Sequence, residues 1–108
     1  MHFALTEDQI LIQDAARNFS NDRLKPNAAK WDEDKHFPVD ALRDAAAMGF
    51  AGIYTREDVG GSNLSRLDAC LIFEQLSRGC VATAAFLSIH NMCAWMIDSW
   101  GTEEQRQR

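Results

Sequence analysis

The run CVATAAFLSIHNMCAWMIDSW at residues 80–100, closed by Gly101 and followed by Thr102-Glu103-Glu104-Gln105, decides the fold. It contains no proline or glycine and a single formal charge, Asp98. A strand averages about 5–6 residues, so a run of this length is a helix. Its apolar residues cover nearly the whole circumference, which predicts a central helix buried on most sides. It is also the nearest approach to a membrane span. Ser88, His90, Asn91, Asp98 and Ser99 break it well short of the ~18 uninterrupted apolar residues that a span requires. Gly101 ends the helix. Thr102 with Gln105 then forms a capping box, the signature of another helix start.

Working outward, the same local signals recur. Thr6-Glu7-Asp8-Gln9 is a capping box, and Ile12, Ala15, Ala16 and Phe19 follow it at helical spacing. Pro26 should end or bend that helix, because proline disfavours the helical conformation at Lys25. A short helix at about 27–32 follows, running into the acidic turn Asp32-Glu33-Asp34. Pro38 suits the first position of the next helix, at about 38–48, since a first-turn N–H has no partner to lose. Asp40 complements its dipole, and Gly49 fits the left-handed residue beyond its end. Phe50 to Tyr54 is too short for a sheet and reads as a buried connector. Gly60-Gly61-Ser62-Asn63 is a loop by composition. Ser65-Arg66-Leu67-Asp68 caps a further helix carrying Leu67, Leu71, Ile72 and Leu76 and ending near Gly79. The expected fold is all-α, an up-and-down bundle of about five to six helices. The last of them has barely begun at residue 108, so residues 1–108 read as a domain truncated at the start of its last helix. Such a piece should expose apolar surface and associate.

Composition narrows the function classes. Sixteen acidic and eleven basic residues give a net charge of −5, with no run of Lys and Arg. That argues against nucleic acid and against a polybasic membrane face. Cys70, Cys80 and Cys93 are odd in number and lack C-x-x-C spacing, so they read as reduced, buried small hydrophobes. The N-terminus at Met1 has no basic and apolar leader regions, and a bacterial cytoplasmic location is expected.

Few residues carry chemistry on this reading. Gly60-Gly61-Ser62 precedes a helix, and helix N-termini bind anions, but no phosphate-loop pattern accompanies it and a plain turn fits better. His90 and Cys93 stand at i, i+3. A zinc site needs three or four ligands, and nothing in the spacing brings His36, Cys70 or Cys80 to them, so no metal is expected and His90 reads as a hydrogen-bonded core residue. Ser88 and His90 are two apart on a helix and do not face each other, which makes a nucleophile–base pair geometrically poor. Polar groups within a buried helix either bond to neighbours or line a cavity, and the residues leave both open. They equally leave open a stand-alone helical module that binds a partner protein.

The order of these signals resembles the N-terminal α-helical domain of the acyl-CoA dehydrogenases. The resemblance rests on Leu5-Thr6-Glu7-Asp8-Gln9, Leu24-Lys25-Pro26 with Trp31-Asp32, Phe37-Pro38, and Met48-Gly49-Phe50-Ala51-Gly52-Ile53. It continues through Val59-Gly60-Gly61-Ser62, Phe73-Glu74-Gln75-Leu76 and Gly101-Thr102-Glu103-Glu104-Gln105. The segment from Ser88 through Ser99 is most similar to the family members that act on isobutyryl-CoA. The resemblance implies a full-length parent with a middle β-domain, a second helical domain and FAD. There, a glutamate removes the α-proton of an acyl-CoA, the β-hydride goes to the flavin, and an electron-transferring flavoprotein takes the electrons. It also implies a homotetramer. By that resemblance neither the catalytic base nor the main flavin contacts fall within residues 1–108, and this piece alone is inactive. What it supplies is one wall of the acyl pocket. Ala85, Ser88, Ile89 and Met92 are the substrate-binding candidates by position in the family, and their i, i+3, i+4, i+7 spacing puts them on one helical face. The bulk of Ile89 and Met92 suits a short or branched acyl group. The competing reading is that these four pack against another helix.

Overall fold

The computed structural model describes residues 3–108; the expected leaderless start at Met1 lies outside the described residues. Six α-helices follow in order: α1 (Glu7–Phe19), α2 (Ala28–Glu33), α3 (Val39–Ala47), α4 (Arg66–Gly79), α5 (Val81–Trp100) and α6 (Glu103–Gln107). No strand occurs among the described residues.

The three capping boxes form as their sequences require. The Thr6 hydroxyl accepts the Gln9 N–H at 3.2 Å, and the Gln9 side chain accepts the Thr6 N–H at 2.9 Å. Ser65 with Asp68 and Thr102 with Gln105 repeat the exchange. Each satisfies two backbone donors that a helix start otherwise leaves open. Pro38 stands just before α3 rather than inside it. Its ψ of 72° is not helical, yet its carbonyl accepts the Leu42 N–H, so it acts as the cap. Gly49 takes φ +93°, and the Phe50 N–H reaches back to Ala45 O at 3.0 Å, closing α3 with the left-handed turn that glycine favours.

Pro26 does more than stop α1. The chain widens into a five-residue π turn, Ser20–Leu24, whose closing bond runs from Lys25 N–H to Ser20 O at 2.8 Å. The turn buries Ser20 and Leu24, and the Ser20 hydroxyl donates to Leu76 O at 3.4 Å. Gly79, the last residue of α4, lies directly beneath it. A Cβ there would overlap the Ser20 hydroxyl and come within 2.9 Å of Leu24 Cβ. Gly79→Ala should therefore destabilise the 108-residue chain by about 1–3 kcal/mol through overpacking, although alanine is the better helix former by about 1 kcal/mol. Urea unfolding reads the difference, and a raised midpoint would refute the close approach.

The core joins α1 to α4 and α4 to α5. Ala16, Phe19 and Leu24 meet Ala69, Ile72 and Leu76, and Ala84 and Leu87 of α5 complete the cluster. Phe50 and Ile53 enter it from the connector, which is buried as its sequence suggests. The molecule is a slab of 41 × 38 × 19 Å. A helix with its side chains is about 10–12 Å across, so the slab is only about two helices thick and each helix keeps an outer face.

That shape corrects two expectations. α5 is not buried on most sides: Thr83, Ala84, Leu87, Asn91 and Asp98 are covered, while Val81, Phe86, Ile89, Met92, Met96, Ile97 and Trp100 are exposed. An apolar circumference shows what a helix could bury, not what stands next to it. Nor are the cysteines buried: Cys70 and Cys93 are exposed and Cys80 is half-covered, all three as free thiols.

Candidate functional site: the outer face of α5

The four substrate-binding candidates share one outward face. Ala85, Ile89 and Met92 are exposed, the last two at 57% and 48%, and Ser88 is half-buried. Val81 and Met96 extend the strip along the helix. No helix among the described residues covers it, so packing against another helix of this chain does not account for it. The face offers one hydroxyl, from Ser88, and otherwise alkyl and thioether surface. It can hold an apolar chain but has no group to move a proton. An apolar hollow of about 290 Å³ opens elsewhere, among Trp31, Phe37, Leu42, Thr83 and Phe86. A pocket over the α5 face thus needs a second wall from outside these residues.

The buried side of α5 grips the backbone between α3 and α4 at two points. Asn91 is fully buried, and its amide makes three bonds of 2.8 Å: it donates to Phe50 O and Leu87 O and accepts the Ile53 N–H. Asp98, seven residues on and on the same face, accepts the Arg56 N–H at 3.1 Å and the Arg56 guanidinium at 3.2 Å. Arg106 of α6 approaches the same carboxylate at 2.9 Å and also binds Asp58 at 2.8 Å and Glu103 at 2.7 Å. Burial pushes the Asp98 carboxyl up, but the hydrogen bond from Arg106, then those from the Arg56 backbone and side chain, outweigh it and hold the group below its ordinary value. The same bonds, Asp98 first and Asp58 next, raise the Arg106 guanidinium further above its already high value. The sequence signalled that Asn91 and Asp98 need partners, and they bond to neighbours rather than line a cavity. Their partners Phe50, Ile53 and Arg56, some 40 residues away, carried no signal. Beside this cluster the Arg66 guanidinium lies 3.9 Å from the centroid of Tyr54 and 5.0 Å from that of Trp95.

The remaining candidates separate. His90 is exposed, not a core histidine, because it falls on the flank where the thin slab has no neighbour. Ser88 and Asn91 differ from it in burial, so no nucleophile–base pair assembles. Among the described residues no group of three His, Cys, Asp or Glu side chains converges to hold a metal. The Gly60–Asn63 loop is a closed turn. Gly60 N–H bonds Glu57 O, Gly61 N–H bonds Arg56 O, Ser62 N–H bonds Gly52 O and Asn63 N–H bonds Thr55 O. With its amides engaged inside the chain the loop presents no phosphate cradle for a flavin nucleotide. No helix is long and apolar enough to cross a membrane among the described residues.

Comparison with known proteins accounts for the pattern. Residues 6–108 match the family model for the acyl-CoA dehydrogenase N-terminal domain. The chain is 58% identical over 104 residues to the mitochondrial isobutyryl-CoA dehydrogenase of Dictyostelium discoideum and 52% identical to that of Bos taurus. Each alignment covers 96% of this chain and 25% of the relative, so the chain spans about a quarter of their length. Both relatives are mitochondrial, which gives the expected bacterial cytoplasmic origin no support. The solved structure of butyryl-CoA dehydrogenase from Megasphaera elsdenii superposes with a TM-score of 0.89 at 28% identity, covering 99% of this chain and 29% of that one. With residues 6–108 matched to that model, the chain belongs to the acyl-CoA dehydrogenase family as its N-terminal domain.

Proposed function

We propose that this chain is the first domain of a FAD-dependent dehydrogenase that introduces an α,β double bond into a short or branched acyl-CoA such as isobutyryl-CoA. Its own part is to supply one wall of the acyl pocket through Ala85, Ser88, Ile89 and Met92. The observation that carries this reading is the uncovered apolar face of α5, on which those four side chains lie together. Identity of 58% and 52% to two isobutyryl-CoA dehydrogenases supports the substrate class. Side chains as bulky as Ile89 and Met92 leave room for a short acyl group and little more.

The residues of this chain orient the acyl group and exclude water from it. The base and the FAD site are assigned to the rest of the full-length protein. By family resemblance that protein is a homotetramer and passes electrons to an electron-transferring flavoprotein. The test is dye reduction by the full-length protein with an acyl-CoA series. Isobutyryl-CoA should support turnover with a kcat/KM at least about tenfold above that of a straight eight-carbon acyl-CoA, since each methylene misfitted in a pocket is worth about 1–3 kcal/mol. Absence of any acyl-CoA-dependent reduction, or a preference for the long chain, would overturn the reading.

A further inference from the structure

We infer that Asn91 is a positioning residue for substrate selection: its three hydrogen bonds to Phe50, Ile53 and Leu87 set the rotation at which α5 presents Ala85, Ser88, Ile89 and Met92. The inference rests on the pocket reading above and adds the device that fixes the pocket wall in place.

Asn91 occupies an unusual position for an amide. It is fully buried in the middle of a long helix, among Ala84, Leu87 and the connector. Burying such a group without partners costs free energy, and a leucine there would avoid the demand. The amide instead joins two different elements. Its nitrogen donates to Phe50 O and to Leu87 O, and its oxygen accepts the Ile53 N–H, each at 2.8 Å. Phe50 and Ile53 lie in irregular backbone, where no helix or sheet ladder answers that carbonyl and that N–H. The side chain therefore locks one angular setting of α5 against the connector, since a rotated helix leaves buried polar groups on both sides unpaired.

Apolar packing alone sets that angle weakly. The buried apolar side chains of α5 are Ala84 and Leu87, a small methyl and a flexible isobutyl. Directional bonds are what distinguish one rotation from the next. Asp98, at i+7 from Asn91, makes a second point of attachment to Arg56 in the same connector. The two clasps lie on one line along the buried side of the helix, roughly a third of a turn around from the candidate pocket face. A helix has a radius of about 5–6 Å with its side chains, so a rotation of about 10° displaces a side-chain tip by about 1 Å. A displacement of that size near reacting atoms can cost about a hundredfold in rate.

The experiment uses the full-length protein and compares kcat/KM for isobutyryl-CoA with that for hexanoyl-CoA. This ratio does not depend on how much of the sample is folded. Asn91→Asp keeps the shape and the acceptor for Ile53 but turns an oxygen toward the Phe50 and Leu87 carbonyls. It should change the ratio about tenfold, carried mainly by a raised KM for isobutyryl-CoA. Asn91→Ser removes the reach to the connector with a smaller residue and should shift the ratio in the same direction if Asn91→Asp does not fold. Asp98→Asn loosens the second clasp while keeping its acceptor oxygen, and should shift it the same way by about threefold. An unchanged ratio in every variant that folds, whatever happens to Tm, overturns the proposal and leaves Asn91 a plain core residue. Met92→Ala run in parallel separates the two levels. If it too leaves the ratio unchanged, the pocket reading itself fails; if it alone shifts the ratio, only the role of Asn91 fails.

Discussion

Met92→Ala in the full-length protein should raise kcat/KM for hexanoyl-CoA relative to isobutyryl-CoA by about tenfold. The substitution removes most of a long unbranched side chain from an outward position at the candidate pocket wall. The space released suits about two further methylenes of an acyl chain, each worth about 0.8 kcal/mol when buried. Their sum slightly exceeds the 1.4 kcal/mol that corresponds to a factor of ten. The isobutyryl group, too short to fill the new space, gains nothing and loses contact. Steady-state kinetics over a series of chain lengths reads the effect. A ratio that stays put while Tm falls would mean that Met92 packs against protein and not against substrate. Ile89→Ala should act in the same direction, because Ile89 shares the face three residues earlier.

The second large effect concerns stability. Arg106→Met should lower the Tm of the 108-residue chain at pH 7 by at least about 5 °C and loosen α6. α6 has only five residues, far fewer than an isolated helix needs, so it depends on its anchors. Arg106 is the principal one, reaching Asp98, Asp58 and Glu103 together. Its removal also leaves the buried Asp98 with Arg56 alone, and a buried charge that loses a partner is strongly destabilising. The pH dependence has a defined sign. The Asp98 carboxyl is held below its ordinary 3.8, so the stabilisation it provides is complete above that value. It is lost as the pH falls from about 4 through the still lower folded value. Glu103 behaves likewise, held down by hydrogen bonds from Gln107 and then Arg106. In Arg106→Met both downward shifts shrink, so the loss of Tm between pH 5 and pH 3 should be shallower than in the unsubstituted chain. Melts at three pH values decide the matter, and parallel acid limbs would contradict it.

What could be read in the sequence was what is encoded locally. A capping box needs two residues three apart, and all three boxes formed. Gly49 needed only the end of α3 to take its left-handed turn. Helix boundaries were right to within a residue or so, the exception being the π turn at Ser20–Leu24. That turn packs against Gly79, almost 60 residues away, where a Cβ would overlap it. Composition suggests burial correctly for Phe50 and Ile53 but not for most of α5. The apolar circumference of α5, the three cysteines and His90 all suggest core by residue type, yet most of them are exposed. The slab is too thin to cover them, and which side of a helix meets a neighbour is a tertiary property. The same limit explains the polar clasps: Asn91 and Asp98 declare a need for partners, but Ile53 and Arg56 look like any other connector residues. The candidate site stood between these cases. Helical spacing grouped Ala85, Ser88, Ile89 and Met92 on one face, and the family resemblance gave that face a role.

The most direct test is the crystal structure of the full-length protein with a non-reactive isobutyryl-CoA analogue bound. The acyl carbons should lie within van der Waals contact, about 4 Å, of Ile89 and Met92, with Ala85 and Ser88 beside them on the same wall. An acyl group bound elsewhere, with the outer face of α5 filled by side chains of another domain, would contradict the assignment of that face to the substrate.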